Sequence, residues 1–138
     1  MDRKRIPLFA HWLVGSFLIA GSWSASAQQP APTENKGVTP KQLVAVDLGP
    51  EIEGMGGRQL RMRMLTVEPG GVIGIHNHKD RPGTVYILQG QATEHRGGVA
   101  REVGPGDFWS EDKETTHWLE NKGTTPAVLI AVDVFKQP

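Results

Sequence analysis

Gly70-Gly71-Val72-Ile73-Gly74-Ile75-His76-Asn77-His78 holds the pattern that decides the reading of this chain. Its β-branched residues, set among glycines, read as a β-strand. Side chains at i and i+2 of a strand share one face, so the imidazoles of His76 and His78 converge on a single point. A third histidine comes 39 residues after His78, at the head of His117-Trp118-Leu119-Glu120-Asn121. Neutral imidazole is the commonest protein ligand for a transition metal. Two neighbouring ligands and a remote one suit a mononuclear site with positions left for water or substrate.

Outward from this stretch, short apolar runs alternate with glycine-rich breaks. Strands are expected at Leu43–Val46, Leu60–Val67, Val72–His78, Thr84–Gln89, Ala92–His95, Phe108–Trp109, Trp118–Leu119 and Ala127–Phe135. Breaks fall at Glu53–Gly57, Pro69–Gly71, Pro82-Gly83, Arg96–Gly98, Gly104–Asp107 and Asn121–Gly123. Regular short strands with turn chemistry between them predict an all-β sandwich or barrel, and no amphipathic helix of useful length is present. Leu60-Arg61-Met62-Arg63-Met64 alternates, so one face meets the core and the other meets water or a partner. Met62 and Met64 read as core packing in preference to copper ligands. Ala127–Phe135 is apolar on both faces, as befits a strand between two layers or at a dimer interface.

The start of the chain reads as an address. Asp2-Arg3-Lys4-Arg5 is followed by an apolar run from Leu8 to Gly21, and Ala25-Ser26-Ala27 fits a small-x-small cleavage site. Residues 1–27 are therefore expected to be a secretory signal peptide that delivers the protein to the periplasm or the exterior. Residues 28–40, rich in Pro, Thr, Asn and Gly, read as a flexible N-terminal segment, and 41–138 as the folded domain. The signal holds three of the 15 basic and one of the 15 acidic residues, leaving 111 residues with 12 basic and 14 acidic. That balance, without a basic stripe, argues against nucleic acid as a partner. No segment beyond the signal is fit to span a membrane. With no cysteine, a metal must be held by nitrogen or oxygen, and a thiol nucleophile is excluded.

Two motifs give the chain a resemblance to the cupin superfamily of double-stranded jelly-roll β-barrels, over roughly residues 58–136. The first reads Gly, five residues, His-x-His, three or four residues, Glu, six residues, Gly. Gly70, His76, His78 and Gly90 fall at the matching offsets, with Gly83 in the glutamate position. The second reads Gly, five residues, Pro-x-Gly, two residues, His, three residues, Asn. Gly106, His117 and Asn121 match, while Asp112 and Glu114 replace the proline and glycine, which predicts a different path for the turn before His117. The resemblance implies that His76, His78 and His117 ligate a divalent transition metal: iron first, with zinc, manganese, copper or nickel as the other ions compatible with the set. Cupin pockets are lined by aromatics, so Tyr86 and Trp109 are pocket candidates, and Tyr86 is the one candidate for a proton donor. Either Phe108 or Trp109 must face inward, since strand neighbours take opposite faces. Asp80, Gln89 and Glu94 are near enough in sequence to offer oxygen, but Asp80 and Glu94 read as surface residues. His95 reads as an exposed hairpin residue and Asn121 as structural.

Three functions are open at this point. The first is a mononuclear dioxygenase-type metalloenzyme acting on a small organic substrate, because three-histidine cupins that use ferrous iron include thiol and diketone-cleaving dioxygenases. The second is a non-catalytic periplasmic barrel that binds or senses a metal or small ligand. The third is a metal-dependent isomerase or lyase, against which the missing glutamate counts. Pairing of single-domain cupins through their sheets, and the doubly apolar 127–135 strand, point to a homodimer.

Overall fold

The computed structural model describes residues 30–137, so the expected signal peptide lies outside the described residues. Eight antiparallel strands follow in order: β1 Lys36–Asp47, β2 Arg58–Asn77, β3 Gly83–Gln89, β4 Ala92–Arg96, β5 Val99–Val103, β6 Phe108–Glu111, β7 Thr116–Glu120 and β8 Ala127–Lys136. No helix occurs among the described residues, and none is long and apolar enough to cross a membrane. The strands run β5-β4-β7-β2-β8-β3-β6 across one curled sheet, with β1 on the free edge of β2. This is the double-stranded jelly roll.

The architecture depends on β2. The sequence predicts two strands separated by Pro69-Gly70-Gly71, but β2 runs continuously through that break for 20 residues. Gly70 takes a φ of 72° there, a conformation open to glycine and strained for other residues. Before the bend, Arg58–Val67 pairs with β8 on one side and β1 on the other. Beyond it, Val72–Asn77 pairs with β7. One strand thus serves both halves of the roll, and the concave space between them is filled at one end by a core of Val67, Val85, Ile87, Ala92, Val103, Trp109, Leu119, Ala127, Leu129 and Ala131.

Strand β1 begins at Lys36, within the segment expected to be a flexible lead-in. Val38 and Pro40 oppose Val67 and Leu65 on β2. Ahead of the strand, the Ile75 N–H donates to the Pro32 carbonyl at 2.7 Å and the Gly74 N–H to Asn35 Oδ1 at 2.9 Å. Gly74 is required for this approach: a Cβ there would lie 2.6 Å from the Thr33 carbonyl oxygen. Residues 32–40 are thus held by the fold.

Within β2 the alternation runs opposite to a simple core-and-water reading. Arg61 and Arg63 point inward, where both donate to Asp133 at 2.9 Å, while Met62 and Met64 join the outer face. Asp133 is buried, and the Arg61 guanidinium grips it through two bonds. Strand β5 has no counterpart in the sequence reading.

Candidate metal centre

His76 sits near the end of β2 and His117 near the start of β7, and the two are direct cross-strand partners. His78 lies just past the end of β2, where its N–H donates to the Thr115 carbonyl at 3.0 Å and keeps the chain on the ladder. The three rings meet with centroids 4.7 to 5.1 Å apart. One nitrogen from each lies within 4.8 Å of the others. The turn from Asp112 to Thr115, expected to differ from the family path, is organised by Asp112 Oδ1, which accepts from the Glu114 N–H and the Thr115 hydroxyl. It delivers His117 to the cluster.

Each ring is fixed by its second nitrogen. His76 Nδ1 is 2.8 Å from the Gly74 carbonyl, His78 Nδ1 is 3.0 Å from the Arg81 carbonyl, and His117 Nδ1 is 3.0 Å from Glu94 Oε1. These partners only accept, so each Nδ1 carries the proton and each Nε2 presents a lone pair. His78 Nε2 and His117 Nε2 then face each other at 3.1 Å. Adjacent donors around an ion with bonds of about 2.1 Å are themselves about 3 Å apart, so the spacing suits a shared cation. The donor set therefore fits a divalent transition metal.

Burial lowers the pKa of His76 and of His78 below the ordinary imidazole value, against the opposing pull of the hydrogen bonds to Gly74 and Arg81. Burial wins, so the rings stay in the neutral, ligating form near neutral pH. Glu94, read from sequence as a surface residue, is instead buried beside His117. Its burial opposes ionisation. The hydrogen bond from His117 and the nearby Arg96 and Arg101 cations outweigh that, holding its carboxyl below the usual value. Glu94 thus orients a ligand and raises its basicity.

The cluster opens into a cavity of about 300 Å³ whose walls include Arg63, Arg81, Trp109 and Glu111. Trp109, expected in the pocket, is there. Its neighbour Phe108 points outward at 73% exposure. Tyr86 does not line the cavity: Val85 and Ile87 take the inner face of β3, which leaves Tyr86 on the outer face at 46% exposure. From there it cannot serve the histidine cavity as the wall residue or proton donor expected of it. His95, expected to be exposed, is half-buried: its ring stacks on Trp118 at 3.6 Å and its Nε2 meets Glu120 at 2.7 Å, away from the cluster. Asn121 has the structural role expected, tying the Val67 and Thr125 carbonyls together. Glu111 and Arg63 had not been singled out from the sequence. The signal for Glu111 was its place two residues after Trp109 on one strand, where an inward tryptophan implies an inward glutamate.

Fold and site together define a small β-barrel with a three-histidine pocket able to hold a metal ion. The family model for the cupin domain matches residues 63–133, and the chain belongs to that family. An oxalate-binding protein of Thermotoga maritima is 29% identical over 83 residues, covering 60% of this chain and 69% of the relative. Among solved structures, a polyketide cyclase from Streptomyces resistomycificus superposes with a TM-score of 0.61 at 20% identity, covering 78% of this chain and 72% of that one. A predicted oxalate decarboxylase from Thermotoga maritima gives a TM-score of 0.51 at 20% identity, covering 75% and 99%. These two likenesses establish the shared fold.

Proposed function

We propose that this protein binds one divalent transition metal on His76, His78 and His117 and takes a small carboxylate-bearing molecule beside it. The observation that carries the reading is Arg63. It reaches from β2 into the same cavity as the histidines, and its buried Nε has no hydrogen-bond partner among the described residues. A buried guanidinium donor without an acceptor is costly to leave unmade, and a carboxylate on the cavity axis supplies one. Arg81 adds a second positive charge to the wall. The oxalate-binding relative supports the same ligand class.

A bound ion would attract the carboxylate as a Lewis acid and, if ferrous, would support dioxygenase-type chemistry at its open positions. Iron is the ion this reading puts first. The chain's own residues bind the ligand, orient it through Arg63, and keep the imidazoles neutral. Calorimetric titration of the Mn²⁺-loaded protein with oxalate tests the reading. Saturable binding that weakens by tenfold or more in Arg63→Gln supports it, and no heat with oxalate or malonate overturns it. Oxygen consumption by the Fe²⁺-loaded protein with small carboxylic acids separates turnover from binding alone.

The same reading places the protein outside the cytoplasm, on the strength of the basic start, the apolar run and Ala25-Ser26-Ala27, and pairs it with a second copy through its outer sheet face. On that face, cross-strand neighbours form continuous apolar rows. One runs Val44, Met62, Val132, and the next Met64, Ile130, Tyr86, Phe108.

A further inference from the structure

The first cupin motif carries a glutamate where this chain has Gly83, and the fold brings a different carboxylate into that space. In the β3–β6 ladder Gly83 is the direct partner of Glu111. A Cβ on Gly83 would stand 3.3 Å from Glu111 Oε2, 3.2 Å from the Asp133 Cβ and 2.8 Å from the Val132 carbonyl oxygen. The volume a side chain at 83 would enter is already taken. We propose that Glu111 replaces the motif glutamate and completes the centre as a fourth, anionic metal donor. This rests on the metal-binding reading above.

Three observations carry it. Glu111 Oε1 lies 3.3 Å from His117 Nε2, the nitrogen left free to ligate. That is close to the spacing of about 3 Å between adjacent donors on one ion, and nearly the same as the 3.1 Å between His78 Nε2 and His117 Nε2. Next, the carboxylate is buried at 6% exposure on the cavity wall. Among the described residues its close partners are the Trp109 indole N–H, which donates to Oε1 at 3.2 Å, the His117 Nε2 beside that same oxygen, and the outer His78 Nδ1, 3.3 Å from Oε2. No lysine or arginine pairs with it there. Buried carboxylates are paired with cations or coordinate metals; Arg63 acts on Glu111 only from across the cavity, whereas an ion on the histidines would lie within bonding reach. Finally, the Trp109 N–H can only donate, so it aims Glu111 without competing for the ion.

With Glu111 included, the donor set becomes three nitrogens and one oxygen, and the centre's charge falls from +2 to +1. Two octahedral positions are left, the number a chelating dicarboxylate fills.

The test is the crystal structure of the Co²⁺-loaded full-length protein, with Co²⁺ titrations of wild type, Glu111→Gln and Glu111→Ala. The expected result is a Glu111 oxygen about 2.0–2.2 Å from an ion held by the three histidines. Co²⁺ affinity should fall in both variants by at least about 10-fold, the loss already typical of removing a residue that only supports a ligand, with a changed visible absorption spectrum. Co²⁺ on the three histidines with Glu111 turned away, or a folded variant with wild-type affinity and spectrum, overturns the role of Glu111 and leaves the metal site intact. Absence of Co²⁺ from the three histidines overturns both.

Discussion

His76, His78 and His117 are each held in the tautomer that a metal requires; the convergence of His76 and His78 is legible in the sequence, because side chains on a strand follow a two-residue period. Of the residues that support them, Glu94 carries no such signal and Glu111 only its shared strand face with Trp109. Glu94 and Glu111 are acidic residues in polar surroundings, and only the pairing of β4 with β7 and of β3 with β6 turns them inward. The lowered pKa values of His76 and His78 make a prediction with a definite sign. Unfolded, these rings titrate near 6.5, and in the fold they titrate lower. The unfolded chain therefore binds more protons as pH falls through that window. Stability is present above the ordinary imidazole pKa and is lost as pH drops toward the folded value. Melts of metal-free protein are expected to show Tm falling below about pH 6.5, with a shallower fall in His76→Ala/His78→Ala. Asp133 gives a second prediction. Replacing it with Asn leaves Arg61 and Arg63 inward without their counter-charge, which should cost on the order of 3 kcal/mol in urea unfolding.

At the scale of elements, the sequence reading located seven of the strand regions and missed β5, and physical reasons account for both. Val99-Ala100-Arg101-Glu102-Val103 has no apolar alternation, and as the edge strand it needs none, with only Val103 buried. The Pro69-Gly70-Gly71 stretch is a true backbone singularity, but in a rolled sheet it bends a strand without ending it. The opening segment departs from expectation for a related reason: the composition of 28–40 is loop-like, while the edge of β2 gives its residues from Pro32 on hydrogen-bond partners. Thr33 and Asn35 line the cavity, so this segment forms part of its wall. Asn35→Ala removes the acceptor for the buried Gly74 N–H, and the expected loss is about 1–3 kcal/mol, read as a lower urea midpoint with an unchanged slope.

For the whole molecule, the jelly roll places polarity inside and apolar surface outside along its larger face. Arg61, Arg63 and Asp133 point into the barrel, while Tyr86, Leu88 and Phe108 face out. The proposed second copy would cover that face. Light scattering after sizing chromatography is expected to give twice the chain mass, and Phe108→Asp to give the single-chain mass, whereas a wild-type monomer would refute the pairing. The family was legible from two motifs, whereas the ligand was not, because it depends on which side chains the register turns inward. The central proposal is one metal ion per chain, bound on His76, His78 and His117. Metal content by mass spectrometry on untagged protein tests this most directly, with His76→Ala/His78→Ala alongside. Close to one equivalent of a divalent transition metal is expected, absent from the variant. Wild-type protein that holds no ion after anaerobic reconstitution with iron, manganese, cobalt, nickel, copper or zinc would contradict it.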